Sequence, residues 1–352
     1  MRSIDQLVRR NIRELTPYTS AREQYLDNAL TLLDANENPW GSIGMVDNQI
    51  LNRYPDPYQR VVKEKLAGLK NHPAQGIFLG NGSDEIIDLL IRIFCEPEKD
   101  EILTTSPTYG MYRVSAAINN VKVREILLDQ TFQLDADKLL EAADEFTKLV
   151  FICSPNNPTG NLIDPSQVIK ILDQFDGVVI IDEAYIDFAN DQGFIRYGSQ
   201  YERLVVMQTF SKAWGMAGIR LGAAYTSEVI VKFLNKVKPP YNVSQLTQKQ
   251  AMTSMEDAHE INMLVAKVQN GREWLRKELS ALNNVEKVYP SDANFLLVKM
   301  IQPRSTFNAL VDHQIVVRDR SNVALCEGCL RITVGTEEEN QRLIDVLKRM
   351  ES

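Results

Sequence analysis

The sequence TFSKAWGMAGIRLG, residues 209–222, follows the apolar run LVVMQTF, which is typical of a buried β-strand. It contains Lys212, with Ser211 directly before it and Arg220 eight residues after it. The apolar, glycine-rich flanks favour a lysine held in a pocket over a solvated charge. A desolvated lysine has a lowered pKa and can form a Schiff base with a carbonyl group, and serine and arginine donors suit phosphate oxygens. This combination predicts a site for pyridoxal 5'-phosphate (PLP).

Three further segments contain the other groups that such a cofactor requires. The run GVVIIDEAYIDF is typical of a buried parallel strand that ends in Asp182, with Tyr185 three residues on. A carboxylate opposite the pyridine nitrogen keeps the ring protonated, as an electron sink requires. We expect Asn157, in FICSPNNPTG, and the Tyr185 hydroxyl to bind the phenolic oxygen, and Tyr109, in TSPTYGMY, to stack on the ring. Lys212, Asp182 and Tyr185 are therefore the predicted catalytic residues.

A strand, a glycine turn and a helix follow one another in GIFLGNGSDEIIDLL. Gly82, Ser83 and Asp84 lie at the predicted helix start, where backbone N–H groups bind phosphate. The G-x-G start also occurs in dinucleotide-binding motifs, but Glu85 occupies the third glycine position and no P-loop G-K-[ST] follows. Because the lysine segment contains donors for the same group, the cofactor phosphate is the favoured ligand.

The order of the motifs GNGSDE, SPTYG, NNPTG, DEAY and SKAWGMAGIRLG resembles that of the fold-type I PLP enzymes of the aminotransferase class. Other segments are similar to the histidinol-phosphate aminotransferase family, namely LTPYTSARE, LDANENPWG, RYPDP, PPYNVS, ANFLLV, VVRDR and LRITVGT. They cover nearly the whole chain in the family's order. The resemblance implies an enzyme of histidine biosynthesis that interconverts L-histidinol phosphate and 2-oxoglutarate with imidazole-acetol phosphate and L-glutamate.

Arginines and tyrosines outside the cofactor segments indicate how anionic substrates are held. Arg331 lies within the strand-like LRITVG, an unusual place for a charge unless it faces a site. An arginine can bind both the α-carboxylate of glutamate and the phosphate of histidinol phosphate. We expect Tyr18, Arg22 and Arg318 to add phosphate contacts. The resemblance also implies a substrate-binding role for Asn36, in LDANENPWG.

Tyr54, in RYPDP, resembles the family tyrosine that reaches the cofactor phosphate bound mainly by the neighbouring subunit. Tyr54 is therefore a predicted cofactor-binding residue contributed across a subunit interface. The resemblance implies a symmetric homodimer.

Apolar β-branched runs alternate with helical patterns, which predicts an α/β fold with a mainly parallel, seven-stranded sheet. The predicted strands lie near residues 77–79, 101–105, 122–127, 149–153, 178–182, 204–209 and 221–225. Helical patterns cover residues 246–282, and short strands then alternate with helices at 285–289, 295–299, 315–318 and 330–334. We predict a large PLP-binding domain of residues 48–250 and a smaller α+β domain formed by residues 1–47 with 251–352.

Length and charge limit the classes of function. The 352 residues, 44% of them hydrophobic, suffice for a large core and two domains. The net charge of −8, with both signs interspersed, argues against a nucleic-acid-binding surface. The start MRSIDQLVRR contains an early acid and no long apolar stretch, so we expect neither a signal peptide nor a membrane span. These features predict a cytoplasmic protein that acts on small molecules.

Cys326 and Cys329 form a C-x-x-C pair in ALCEGCLRI, but a zinc site needs two more ligands. There is no second pair, and the three histidines have no ligand spacing, so we predict no metal site. The scarcity of histidine and the lack of a G-x-S-x-G motif also argue against a serine hydrolase.

Three other functions remain open. An aromatic amino acid aminotransferase would not need extra phosphate donors, and a PLP-dependent decarboxylase of a phosphorylated amino acid would not need a keto acid. A non-enzymatic, ligand-sensing regulator would carry a basic DNA-binding module. Because PLP-type motifs begin within the first forty residues, we expect no such module.

Overall fold

The computed structural model describes residues 2–18, 31, 33–44 and 51–350, within which seven strands form one sheet and four form another. The strands of the larger sheet are β1 (Ile77–Asn81), β2 (Glu101–Ser106), β3 (Lys122–Leu127), β4 (Thr147–Cys153), β5 (Val178–Asp182), β6 (Leu204–Thr209) and β7 (Leu221–Tyr225). The strands of the smaller sheet are β8 (Val285–Val288), β9 (Phe295–Met300), β10 (Arg318–Asp319) and β11 (Cys329–Thr333). The seven strands predicted for the larger sheet are therefore confirmed.

The described α-helices surround these sheets and follow the strands in the alternation that the sequence predicts. They are α1 (Ile4–Leu7), α2 (Arg10–Glu14), α3 (Arg60–Lys70), α4 (Ser83–Phe94), α5 (Met111–Ile118), α6 (Ala136–Ala142), α7 (Pro165–Gln174), α8 (Glu228–Val237), α9 (Gln245–Glu256), α10 (Glu260–Ser280), α11 (Pro303–Asp312) and α12 (Glu337–Arg349). None of the described helices is both long and apolar enough to cross a lipid bilayer.

The larger sheet has the strand order β1-β7-β6-β5-β4-β2-β3. The strands β2 to β6 pair in parallel, whereas β7 is antiparallel to both of its neighbours. A parallel pair needs a long crossover connection. The loop between β6 and β7 is too short for one, so the chain turns back and Thr209 pairs with Gly222. The lysine segment therefore lies at the edge where the parallel strands end.

Both faces of the larger sheet are covered, which explains its continuous apolar strands. Along β5, Val179 and Ile181 belong to one buried cluster, and Val178 and Ile180 belong to another on the opposite face. Because side chains alternate along a strand, Asp182 lies on the face of Val178 and Ile180.

The smaller sheet has the order β10-β11-β9-β8 and is antiparallel throughout. Leu330 and Ile332 of β11 pack in a core with α10, α11 and α12, so the intervening Arg331 faces away from that core. The strand predicted at residues 315–318 is shorter and later, because the Ile315 N–H bonds back to Leu310 and closes the end of α11. Only Arg318–Asp319 remains to pair with β11.

The amino-terminal segment differs from its predicted place. Ile4, Leu7, Val8 and Ile12 pack in the core of the larger sheet, with the helices α4 and α8, although the sequence assigns residues 1–47 to the smaller domain. The predicted boundaries of the two domains otherwise stay a prediction.

Candidate active site

The carboxyl ends of β4, β5 and β6 meet at one edge of the larger sheet. Cys153 pairs with Asp182, and Asp182 pairs with Met207, so the ends of these strands lie side by side. The chain continues from β4 to Asn157 and from β6 to Lys212. Ligands of α/β proteins bind in the crevice at such an edge. The parallel topology therefore places three of the predicted site residues near one another.

Asp182 is a buried carboxylate with two hydrogen-bond donors. Its Oδ2 accepts a hydrogen bond of 2.7 Å from the Tyr112 hydroxyl, and its Oδ1 accepts one of 3.2 Å from the backbone N–H of Ala184. Burial raises the pKa of Asp182 to about 6, while the hydrogen bond from Tyr112 opposes this rise. The carboxyl group therefore depends on its donors to remain ionised at neutral pH.

Lys212 lies beside Tyr185 at the opening of the cleft. The Nζ atom is 5.6 Å from the centre of the Tyr185 ring. The cleft is open and the residue is solvent-exposed, but its walls still remove part of the water around the ammonium. This desolvation lowers the pKa of Lys212, and the Arg331 cation lowers it further, while Asp182 opposes both. A larger fraction of Lys212 is therefore a free amine than in an ordinary surface lysine.

Asn157 connects the two sheets at the cleft. Its Oδ1 accepts a short hydrogen bond from Nη1 of Arg331, and its Nδ2 donates one of 3.5 Å to the Tyr185 hydroxyl. Phe295 of β9 packs between the same partners. Its ring centre lies 5.2 Å from the Tyr185 ring centre and 5.2 Å from the Arg331 guanidinium carbon. Arg331, on the smaller sheet, therefore reaches the Lys212 cleft on the larger sheet.

Arg331 has donor capacity that the protein does not use. In the part of the chain that the structure describes, its buried Nε has no hydrogen-bond partner. Burial lowers the pKa of Arg331, and the charge of Arg318, which pairs with it across β10 and β11, adds to this effect. A buried unpaired donor costs free energy that a bound anion would recover. This geometry points to an anionic ligand at Arg331.

A cluster of polar side chains surrounds Arg220, the arginine predicted to bind the cofactor phosphate. Its Nη1 lies 3.5 Å from Ser211 Oγ, and its Nη2 lies 3.6 Å from Asp84 Oδ2. The other oxygen of Asp84 accepts a hydrogen bond of 3.1 Å from the Tyr109 hydroxyl. Asp84 thus connects the predicted phosphate-binding arginine to the tyrosine that is expected to stack on the cofactor ring.

Two glycines allow the close packing at this cluster. A Cβ atom on Gly82 would lie 2.6 Å from Nη2 of Arg220, and one on Gly222 would lie 2.4 Å from the backbone nitrogen of Ser83. Gly82 has φ +78° and ψ 166°, a region that other residues rarely adopt. The amino terminus of α4, whose N–H groups attract anions, therefore lies directly beside the guanidinium.

Three other predicted residues within the described ranges are exposed or half exposed. Tyr54 is half exposed, and its ring stacks on Tyr241 with ring centres 4.4 Å apart. Tyr18 and Asn36 are exposed. Arg22 lies outside the described residues. The roles assigned to these four residues stay predictions.

The sequence analysis missed two residues of the site. Tyr112 donates a hydrogen bond to Asp182, and the pattern Y-x-x-Y in TYGMY is the signal that relates it to Tyr109.

The second residue is Arg320, which lies two residues after Arg318, so a strand-like alternation would place both on one side. The buried Nε of Arg320 has no partner among residues 2–18, 31, 33–44 and 51–350. Burial raises the pKa of Tyr185, and the charge of Arg320 opposes this rise.

All four cysteines are buried and free. No three His, Cys, Asp or Glu side chains of the described chain lie together in an arrangement that could hold a metal ion.

Comparison with known proteins identifies the class. The sequence profile of the aminotransferase class I and II family matches residues 23–347, so the chain belongs to the class I and II aminotransferases. Its similar relatives include the histidinol-phosphate aminotransferase of Cytophaga hutchinsonii, which is 53% identical over 98% of this chain and 99% of that protein. The histidinol-phosphate aminotransferase of Parabacteroides distasonis is 51% identical, with 99% of each chain covered. The resemblance that the motifs indicate is thereby confirmed.

Solved structures confirm the fold class. The crystal structure of the histidinol-phosphate aminotransferase from Clostridium acetobutylicum has a TM-score of 0.79 and 27% identity, covering 86% of this chain and 91% of that chain. The enzyme of the same name from Sinorhizobium meliloti, in complex with PLP, has a TM-score of 0.78, with coverage of 97% and 98%. At 20% identity this second likeness concerns the fold.

Gly82→Ala tests the packing at the start of α4. The added Cβ would displace the Arg220 guanidinium, and the backbone strain should cost about 1–3 kcal/mol of unfolding free energy. We expect weaker binding of PLP, measured by absorbance titration of the apoprotein, together with a lower melting temperature. Gly68→Ala is the matched control, because Gly68 lies within α3 with open space around its Cβ position. Unchanged PLP affinity in Gly82→Ala would contradict this account of the cluster.

Proposed function

We propose that this protein is a PLP-dependent histidinol-phosphate aminotransferase. It interconverts L-histidinol phosphate and 2-oxoglutarate with imidazole-acetol phosphate and L-glutamate, in histidine biosynthesis. The observation that carries the proposal is the contact between Arg331 and Asn157, next to Tyr185 and Lys212. It places a guanidinium with an unused donor beside a lysine of lowered pKa. The similar relatives that bear this name support the proposed substrate.

The donor set of the cleft fits PLP. Arg220, Ser211 and the amino terminus of α4 suit its phosphate, and the glycine at position 82 leaves the space between them. Asp182 suits the ring nitrogen, while Asn157 and the Tyr185 hydroxyl suit the phenolic oxygen. When bound, PLP supplies an aldehyde carbon and a ring that accepts electrons.

Lys212 performs the proton transfers. Its lowered pKa leaves a larger share of free amine at neutral pH, so Nζ can take a proton from the substrate Cα and return it later in the cycle. The Tyr185 ring lies beside Nζ, and the Arg331 cation favours the uncharged amine. Asp182 contributes a fixed negative charge at the floor of the site.

Arg331 binds the anionic end of each substrate. Glutamate presents an α-carboxylate and histidinol phosphate presents a phosphate, and one guanidinium can pair with either group. Because both substrates use the same arginine, they occupy the site in turn. The amino group of the first substrate would stay on the loaded enzyme until the second substrate takes it, which gives ping-pong kinetics. Arg318, which pairs with Arg331 across the strands, adds positive charge for the phosphate.

The functional unit is a homodimer in the cytoplasm. Tyr54 and its neighbours line an open cavity of about 410 Å³ between α3 and α9, separate from the residues around Lys212. The Tyr54 side chain is half exposed, so a second subunit can approach it. The four free cysteines agree with a reducing compartment.

Lys212 should carry PLP covalently. Borohydride reduction of the holoenzyme should fix the cofactor to the peptide that contains Lys212, as peptide mapping would show. Lys212→Ala should lose transamination by at least ~10²- to 10⁴-fold, because a positioned acid–base group is removed. Lys63→Met is the matched control, since burial lowers the pKa of Lys63 to about 8 and yet Lys63 lies beside Lys238 in another part of the protein. Label on Lys63 would overturn the assignment.

Phosphate recognition should set the specificity. Histidinol lacks the phosphate, so its kcat/KM should be at least ~10²-fold lower than that of histidinol phosphate, since several charged hydrogen bonds are lost. Arg331→Ala should impair both glutamate and histidinol phosphate, whereas Arg276→Ala, on the exposed face of α10, should change neither. Equal reaction of histidinol and histidinol phosphate would favour a general aromatic aminotransferase. Release of carbon dioxide without a keto acid would favour a decarboxylase.

The shared site predicts complementation between two inactive variants. Tyr54→Phe keeps the ring that stacks on Tyr241 but removes the hydroxyl. Mixing it with Lys212→Ala under subunit exchange should restore activity, because one hybrid site then receives both groups. Each variant incubated with itself is the control. A fully active monomer in analytical ultracentrifugation would exclude this arrangement.

A further inference from the structure

The fully buried Tyr112 contacts the carboxylate of Asp182. Tyr112 lies in the first turn of α5, and its hydroxyl donates to Asp182 Oδ2 at 2.7 Å. Its ring stacks on Phe151 of β4 with ring centres 4.9 Å apart, and Tyr109 packs edge-on at 5.6 Å. With neighbours on both sides, the ring cannot turn its hydroxyl away from Asp182 without repacking the core.

Each of the two carboxylate oxygens of Asp182 accepts a hydrogen bond from a different donor. The Ala184 N–H occupies Oδ1 at 3.2 Å, and the Tyr112 hydroxyl occupies Oδ2. A carboxylate oxygen can accept more than one hydrogen bond, so lone pairs remain for a ligand in the cleft. The two donors therefore fix the rotation of the carboxyl group and leave acceptor capacity toward the cleft.

Burial disfavours the ionised form of Asp182. It raises the pKa of Asp182 to about 6, and the hydrogen bond from Tyr112 is the largest opposing effect. The backbone N–H of Ala184 opposes burial less strongly. Other titratable groups also face the carboxyl group from the elements around it, namely Cys153, Asp84, Lys212, Tyr109 and Tyr185.

We infer that Tyr112 is a positioning residue of this active site: its hydroxyl keeps Asp182 ionised and aimed at the pyridine nitrogen of the cofactor. The inference rests on the proposed function, in which Asp182 pairs with that nitrogen. With the cofactor bound, a single proton would be shared between the carboxylate and the ring nitrogen. Without the Tyr112 hydroxyl, the carboxylate of Asp182 would be less stable and would hold this proton more tightly. A neutral ring would accept electrons less well.

The first test needs no cofactor. In apoprotein labelled with carbon-13 at aspartate Cγ, the Asp182 signal is assigned by its loss in Asp182→Asn. In Tyr112→Phe, which keeps the buried ring, Asp182 should titrate at a higher pH than in the wild type. Tyr201→Phe is the matched control, because it removes a tyrosine–aspartate hydrogen bond of 2.9 Å at the surface. An unchanged Asp182 titration in Tyr112→Phe would overturn the inference.

The second test reads the cofactor ring. With PLP labelled by nitrogen-15 at the ring, the wild-type holoenzyme should give a pyridinium signal, and Tyr112→Phe should move it toward the neutral-pyridine position seen in Asp182→Asn. The value of kcat should fall roughly 10- to 100-fold, with a smaller change in KM, as expected for loss of one charge-assisted hydrogen bond. Tyr201→Phe should match the wild type.

The two tests separate the ways of failing. If Asp182 titrates at a higher pH in Tyr112→Phe but the nitrogen-15 signal is the same in the wild type, Tyr112→Phe and Asp182→Asn, then Asp182 is not the ring partner. That result would overturn the inference through the site assignment in the proposed function. A nitrogen-15 signal that moves in Asp182→Asn but not in Tyr112→Phe would overturn the inference alone.

Discussion

The site depends on a single buried charge. Asp182 is the last residue of a central strand that has a parallel neighbour on each side. Its carboxyl group is therefore buried by the surrounding protein. A buried carboxylate is stable only when it is hydrogen-bonded or paired with a positive charge. Tyr112 and the Ala184 N–H meet part of this requirement, and a protonated ring in the cleft would meet the rest. In the proposed function, the protonated ring of the cofactor would complete this electrostatic arrangement.

Glu183, the next residue, is also a buried carboxylate, but the protein leaves no space for a ligand beside it. Glu183 lies on the other face of the sheet, where its Oε2 accepts a hydrogen bond of 2.9 Å from Gln208 and its Oε1 accepts a short one from the Phe194 N–H. A Cβ on Gly193 would lie 2.6 Å from its oxygens, so no space remains for a ligand. Burial raises the pKa of Glu183 to about 7. One carboxyl group faces a cleft and the other holds a loop, because side chains alternate along a strand.

Contacts between the two sheets join Arg331 to the cleft around Lys212. Arg331 belongs to the smaller sheet, but it donates to Asn157, which also contacts the Tyr185 hydroxyl. Phe295 packs against both Tyr185 and Arg331, so the arginine has a defined position relative to Lys212. The buried, unused Nε of Arg331 indicates that this position favours an anion. A change in the packing of the two sheets would therefore move Arg331 relative to Lys212.

Local sequence patterns are sufficient to predict the strands, the glycine turns and the lysine segment. This is because hydrophobic periodicity and backbone restrictions act over a few neighbouring residues. They also predict that Asp182, Asn157 and Lys212 lie at one edge, since parallel strands end together. They do not reveal that Tyr112 holds Asp182, because that contact depends on how α5 packs against a strand 70 residues further along. They single out Arg331 by its place in a strand-like run, but they do not reveal that it contacts Asn157, 174 residues away, or that Arg318 is exposed. Such contacts come from long-range packing, in which residues distant in the chain are brought together by burial of the two cores.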